Sequence, residues 1–171
     1  MISQGPVQIL ALALRLRPSV RRVLARIESG GADTDADAAG TISDGQALHV
    51  VQQAYEAYGR RDVPAILELV ALEVDWEFVG SASLPYAGRR QTRDEVADFF
   101  AMLARTEDFH VFEPREFIEA DGNVTVRGWA KATGFDTRKM SEGEWAQVFT
   151  VREGKITRWR GFANTAARYG L

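Results

Sequence analysis

Two hydrophobic periods divide this chain. Up to residue 103 apolar side chains recur at helical spacing, and from residue 109 onward the pattern changes to that of strands. Leu48, Val51, Gln52, Tyr55 and Tyr58 trace one face of a first helix. Ser43 and Asp44 are cap-type residues at its start, with Gln46 three after Ser43, and Gly59-Arg60-Arg61 reads as its stop. Asp62 caps a second helix that tolerates Pro64 in its first turn and buries Ile66, Leu67, Leu69 and Val70. A short strand over 74–79 follows, then a Gly-Ser turn and a Pro-Tyr-Ala-Gly loop. Thr92 caps a third helix whose core face is Val96, Phe99, Phe100 and Leu103. The remaining strands are predicted over 109–118, 124–133, 144–151 and 155–162. Pro114 marks a bulge or an edge in the first of these, and 121–123 and 152–154 read as turns. Three helices, one embedded strand and a long antiparallel meander predict an α+β domain with helices on one face of a curved sheet.

The segment before this pattern is different in kind. Residues 1–28 carry Arg15, Arg17, Arg21, Arg22 and Arg26 against the single acid Glu28, with Val20, Val23, Leu24 and Ile27 at helical spacing. Residues 29–42 are rich in Gly, Ala and Asp and read as an acidic linker. The expected organisation is a basic amphipathic extension over 1–28, a linker over 29–42 and one domain over 43–171. The apolar run 7–14 has no basic residue before it, which makes a poor secretory signal. Residues 7–28 read either as a contact for a membrane surface or partner, or as an ill-ordered extension. Asp33, Asp35, Asp37 and Asp44 mimic calcium-loop spacing, but Ala38 stands where such a loop needs glycine.

Composition narrows the function classes. The 46% hydrophobic and 26% charged content is that of a globular domain. With no cysteine, disulfides and thiolate chemistry are excluded. The net charge of −3 argues against a nucleic-acid partner. No second histidine or carboxylate cluster has ligand spacing, so no metal is expected. An Arg- and Ala-rich, cysteine-free composition points to the cytoplasm.

The candidate chemistry centres on Glu77, a carboxylate on a short strand between Trp76 and Phe78. It either reaches a pocket, where burial suits it to proton transfer, or faces solvent. His110 lies between Phe109 and Val111 and either faces the pocket as acid or base or is structural; His49, one step off its helix stripe, is expected to be exposed. Arg127, Trp129 and Lys131 share one strand face, Trp145 and Gln147 share another, and Trp159 faces with Gly161. These faces line a pocket or form an outer contact surface, and one bulge reverses the assignment.

Several strings in order resemble the NTF2-like superfamily, in its SnoaL-like polyketide cyclase and ketosteroid isomerase branch. They are Tyr55-Glu56-Ala57 seven residues before Asp62, Val74-Asp75-Trp76-Glu77-Phe78, and Gly88-Arg89-Arg90 leading into Asp94-Glu95-Val96. The last hairpin and tail add Phe149-Thr150-Val151-Arg152-Glu153-Gly154-Lys155-Ile156 and Trp159-Arg160-Gly161-Phe162-Ala163-Asn164. The resemblance covers residues 45–171 and implies a cone in which a curved, mostly antiparallel sheet wraps around helices to enclose one pocket. It also implies a homodimer through the sheet and no cofactor. Glu77 stands where ketosteroid isomerases carry their general base, and Tyr55 lies within one residue of their oxyanion donor, with Tyr58 one turn on. By the length of the final hairpin their second donor, a protonated Asp, falls at Ala146. Gly161 replaces the acid of limonene epoxide hydrolases, and Asn164 stands where SnoaL-like sequences often have Asp. Asn164 is expected to cap a terminal turn over 164–167.

The expectation is a SnoaL-type domain binding a small, largely apolar carbonyl metabolite. Glu77 is its base, Tyr55 and His110 polarise the carbonyl, and the pocket is lined by Tyr58, Trp76, Phe99, Arg127, Trp129, Trp145, Gln147 and Trp159. The alternative is a non-catalytic ligand-binding or scaffold domain.

Overall fold

A computed structural model describes residues 45–164. The extension, the linker, the aspartates of the calcium-like spacing and the turn beyond Asn164 lie outside the described residues.

The chain begins with α1 (Gln46–Arg60) and α2 (Val63–Leu69). Gly45, not a side-chain cap, occupies the N-cap of α1 with φ 96°. The stop also differs from the expectation. Gly59 stays helical, and Arg61 takes the left-handed conformation at φ 61°, closing the helix with its N–H on the Ala57 and Tyr58 carbonyls. Asp62 caps α2 as predicted, its carboxylate accepting from the Ala65 N–H at 3.1 Å. The strand β1 (Val70–Val79) starts four residues earlier than the sequence suggested, directly at the end of α2. β2 (Gly88–Thr92), which the sequence did not announce, pairs antiparallel with β1. Thr92 and Glu95 then form a reciprocal capping box that opens α3 (Arg93–Thr106).

α3 runs without a loop into the meander of β3 (Glu107–Ala120), β4 (Asn123–Gly134), β5 (Met140–Arg152) and β6 (Lys155–Ala163). The hairpins at Asp121-Gly122 and Glu153-Gly154 each place two residues at positive φ, the geometry that matches strand twist. The sheet order is β2-β1-β6-β5-β4-β3, antiparallel throughout except for the parallel pair β1–β6. This pairing joins the first strand to the last, while β2 and β3 remain as edges of an unclosed sheet. Register shifts in β3 follow Phe109 and Pro114, the second where proline predicted a bulge.

Helices cover one sheet face. Val51 and Val96 from the helices meet Val70, Val124, Val126, Val151 and Ile156 from the sheet, all fully buried. Fully burying each such side chain contributes about 1.5–3 kcal/mol before chain entropy is subtracted. None of the described helices is long and apolar enough to cross a membrane.

Candidate functional site

Between the helices and the sheet lies a cavity of about 140 Å³. Its wall is aromatic. Trp76 of β1 stacks on Trp159 of β6 with ring centres 4.4 Å apart, and Phe99 of α3 packs on Trp159 at 5.4 Å. Phe112 of β3 stacks on Trp145 of β5 at 4.6 Å, nearly parallel. Two glycines make room for these indoles. A Cβ on Gly161 would collide with the Trp159 ring, and one on Gly128 would collide with both Trp145 and the Glu113 carbonyl. The Trp159 ring thus lies over position 161 and leaves no room there for a side chain.

Polar groups enter this wall at few places. The Tyr55 hydroxyl donates to Gln147 Oε1 at 2.7 Å, and the Trp159 indole N–H donates to the same oxygen at 3.3 Å. These two donors fix the carbonyl end of the amide, so its NH₂ end points away from them and has no partner among the described residues. The Tyr58 hydroxyl likewise has no hydrogen bond among the described residues. Burial, with a smaller push from Tyr58, raises the Tyr55 phenol well above its ordinary pKa. Burial pushes Tyr58 up to about 12, against a smaller lowering by Arg61. Both are therefore neutral donors at neutral pH. The indole N–H groups of Trp76 and Trp145 are buried without a hydrogen-bond partner, a deficit of about 1–3 kcal/mol each.

One buried carboxylate sits in the wall among the described residues, and the sequence reading missed it. Glu107, the first residue of β3, is 6% exposed and accepts a 2.8 Å hydrogen bond from the Tyr86 hydroxyl. Tyr86, from the loop between β1 and β2, is itself 4% exposed and packs on Phe78 and Phe99. A signal was present. Val96, Phe99, Phe100, Leu103 and Glu107 fall at helical spacing, so the acid continues the apolar stripe of α3.

Of the residues expected at the site, Tyr55, Tyr58, Trp76, Phe99, Trp145, Gln147 and Trp159 line the cavity. Four do not. Glu77 lies on the opposite sheet face, because Trp76 and Phe78 on either side of it point inward and side chains alternate along a strand. Its carboxylate pairs with Arg160 at 3.0 Å. Beside it Asp75 accepts from Arg160 at 2.7 Å and Arg89 at 2.8 Å, which hold its carboxyl down at about pKa 2. Arg127 and Trp129 share this outer face. Arg127 pairs with Glu116, and Arg115 lies over the Trp129 ring, 5.8 Å from its centre. His110 is exposed and meets the Thr133 hydroxyl at 2.8 Å. The bulge after Phe109 directs Phe109 and Phe112, rather than His110, to the cavity. Ala146 is absent from the cavity wall, and the β5 residue that meets Tyr55 is its neighbour Gln147. Asn164 stands at the cavity rim, and His49 is exposed as expected.

Residues 51–159 match the family described as the SnoaL-like domain. Among solved structures, an NTF2-like protein from Burkholderia xenovorans LB400 is 26% identical with a TM-score of 0.67, covering 74% of this chain and 95% of its own. TerC co-crystallized with polyporic acid is 23% identical with a TM-score of 0.63, covering 74% and 97%. A candidate polyketide cyclase from Xanthomonas campestris pv. campestris is 22% identical with a TM-score of 0.57, covering 71% and 92%. No curated protein matches the chain.

Proposed function

This chain belongs to the SnoaL-like domain family, and we propose that its cavity binds a ring-sized, largely apolar ligand through a carbonyl group, on which the protein carries out cofactor-independent proton transfer. The observation that carries this reading is the pairing of an aromatic wall with two disengaged donors, the Tyr58 hydroxyl and the Gln147 amide NH₂. An apolar cavity of about 140 Å³ is close in volume to those that accept one benzene-sized ring. Stacked indoles offer flat surfaces to such a ring, and a carbonyl oxygen can accept from both donors at once. The same two groups would hold the negative charge that grows on that oxygen when a neighbouring carbon loses a proton. No metal or organic cofactor enters this chemistry. TerC, of the same fold, was co-crystallized with polyporic acid, and this supports an organic ligand in the fold.

The test separates carbonyl recognition from the filling of an apolar space. Binding of 2-tetralone and of its hydrocarbon analogue tetralin is followed by quenching of the cavity tryptophans. Tyr58→Phe weakens 2-tetralone by about 5–10-fold, the value of one hydrogen bond, and leaves tetralin unchanged. Equal affinity of the wild type for the ketone and the hydrocarbon would sink the carbonyl reading.

A specific observation also supports the non-catalytic alternative. Gly161 and Asn164, where the resemblance to epoxide hydrolases and SnoaL-like sequences leads one to expect acids, cannot exchange protons near neutral pH. A wild-type protein that binds ring ketones without exchanging their α-protons would establish it.

A further inference from the structure

We propose that Glu107 is the catalytic residue that moves the proton, with Tyr86 as the positioning residue for its carboxylate. This rests on the reading of the cavity as a site for a carbonyl ligand. Three observations converge on it. Glu107 is the carboxylate that combines burial with a place in the inner cavity wall, whereas Glu142 and Glu144 stand exposed at the rim and Glu77 lies on the other sheet face. Its backbone is held at both ends of a rigid junction: its N–H closes α3 on the Leu103 carbonyl, and the residue pairs with Gly134 in the sheet. Its side chain is oriented by the Tyr86 hydroxyl, which donates to Oε1 at 2.8 Å. Three contacts link this pair to the ketone-binding groups. Tyr86 packs on Phe99, Phe99 packs on Trp159, and Trp159 donates to the Gln147 amide.

The step balances without a co-reactant. The Glu107 carboxylate takes a proton from the carbon beside the ligand carbonyl. The C–H electron pair moves into the new carbon–carbon double bond, and charge gathers on the oxygen facing Tyr58 and Gln147. Glu107 then returns the proton to the same carbon or to a conjugated one, giving exchange or double-bond migration with no net oxidation. Such acid–base assistance is worth roughly 10²–10⁴ in rate.

The experiment uses the full chain with cyclohex-3-enone, 2-indanone and 2-tetralone. Binding is read by tryptophan fluorescence, α-proton loss in D₂O by NMR, and conversion of cyclohex-3-enone to its conjugated isomer by ultraviolet absorbance. The expected result is that Glu107→Gln, equal in shape, binds the ketones within about twofold of wild type and loses at least a hundredfold in exchange and isomerisation. Tyr86→Phe lowers kcat by about tenfold with KM little changed, a split that a merely structural tyrosine would not produce. Retention of turnover in Glu107→Gln, or its loss in Glu77→Gln, overturns the assignment while leaving the ligand reading intact. Binding without wild-type exchange overturns it equally, and failure of all three ketones to bind removes the ligand reading itself.

Discussion

The two faces of one sheet share their strands and differ in almost every other respect. On β1 the inward residues are Trp76 and Phe78, and the outward ones are Asp75 and Glu77. On β4, Gly128 and Ala130 face the indoles, whereas Arg127, Trp129 and Lys131 face out. The inner face buries a carboxyl group at Glu107, which accepts from the Tyr86 hydroxyl. The outer face distributes charge over Asp75, Glu77, Arg89, Arg158 and Arg160, so that each carboxylate has a guanidinium from another strand. The difference follows from solvent. Outside, water screens the ions and an unpaired charge costs little; inside, a polar atom left without a partner carries its full desolvation cost, as the Trp76 and Trp145 indole N–H groups do.

Substitutions that breach the inner face carry the largest effects. Trp159→Ala removes the ring stacked on Trp76 and the donor to Gln147, and should cost about 3–5 kcal/mol in denaturant unfolding. It should also abolish ketone binding. Gly128→Ala forces a methyl against Trp145 and the Glu113 backbone, and is expected to cost about 1–3 kcal/mol while relaxing the Trp145–Phe112 stack. A stable Gly128→Ala protein with unchanged ketone affinity would show that the indole does not need that glycine.

Outer-face changes should act through pH and salt instead. The folded state depresses the Asp75 pKa from 3.8 to about 2, chiefly by its hydrogen bonds from Arg160 and then Arg89. The unfolded chain therefore takes up this proton first as pH falls. The contribution is complete above pH 3.8 and is lost as pH falls towards 2. Between those limits wild type should lose stability more steeply than Asp75→Asn in parallel melts, and added salt should narrow the gap. Glu77→Gln should be the mildest change, below about 1 kcal/mol, because its partner Arg160 keeps Asp75. A larger loss would mean that the Glu77–Arg160 pair holds β1 against β6.

Local chemistry was legible in the sequence wherever it depends on neighbours along the chain. The Asp62 and Thr92 caps, the turns at 121–123 and 152–154 and the Pro114 bulge all join residues within a few positions. β2 was illegible because Gly88-Arg89-Arg90-Gln91-Thr92 is polar throughout; its strand form comes from pairing with β1. The aromatic wall was readable as residue types, and seven expected lining residues stand in it. The facing of Glu77, His110, Arg127 and Trp129 was not, since alternation leaves two answers until a bulge or a packed neighbour selects one.

By itself, then, the sequence determined the α+β order, the helix ends set by side-chain caps, the hairpins and an aromatic interior, because these follow from periodicity and short-range hydrogen bonds. The tertiary structure alone decided which face is inside. It brought Tyr55 to Gln147 across 92 positions and Tyr86 to Glu107 across 21, and it sent Glu77 to the water side. The physical reason is that a site is made by groups from different elements, and their meeting depends on strand register, bulges and packing that no single segment encodes.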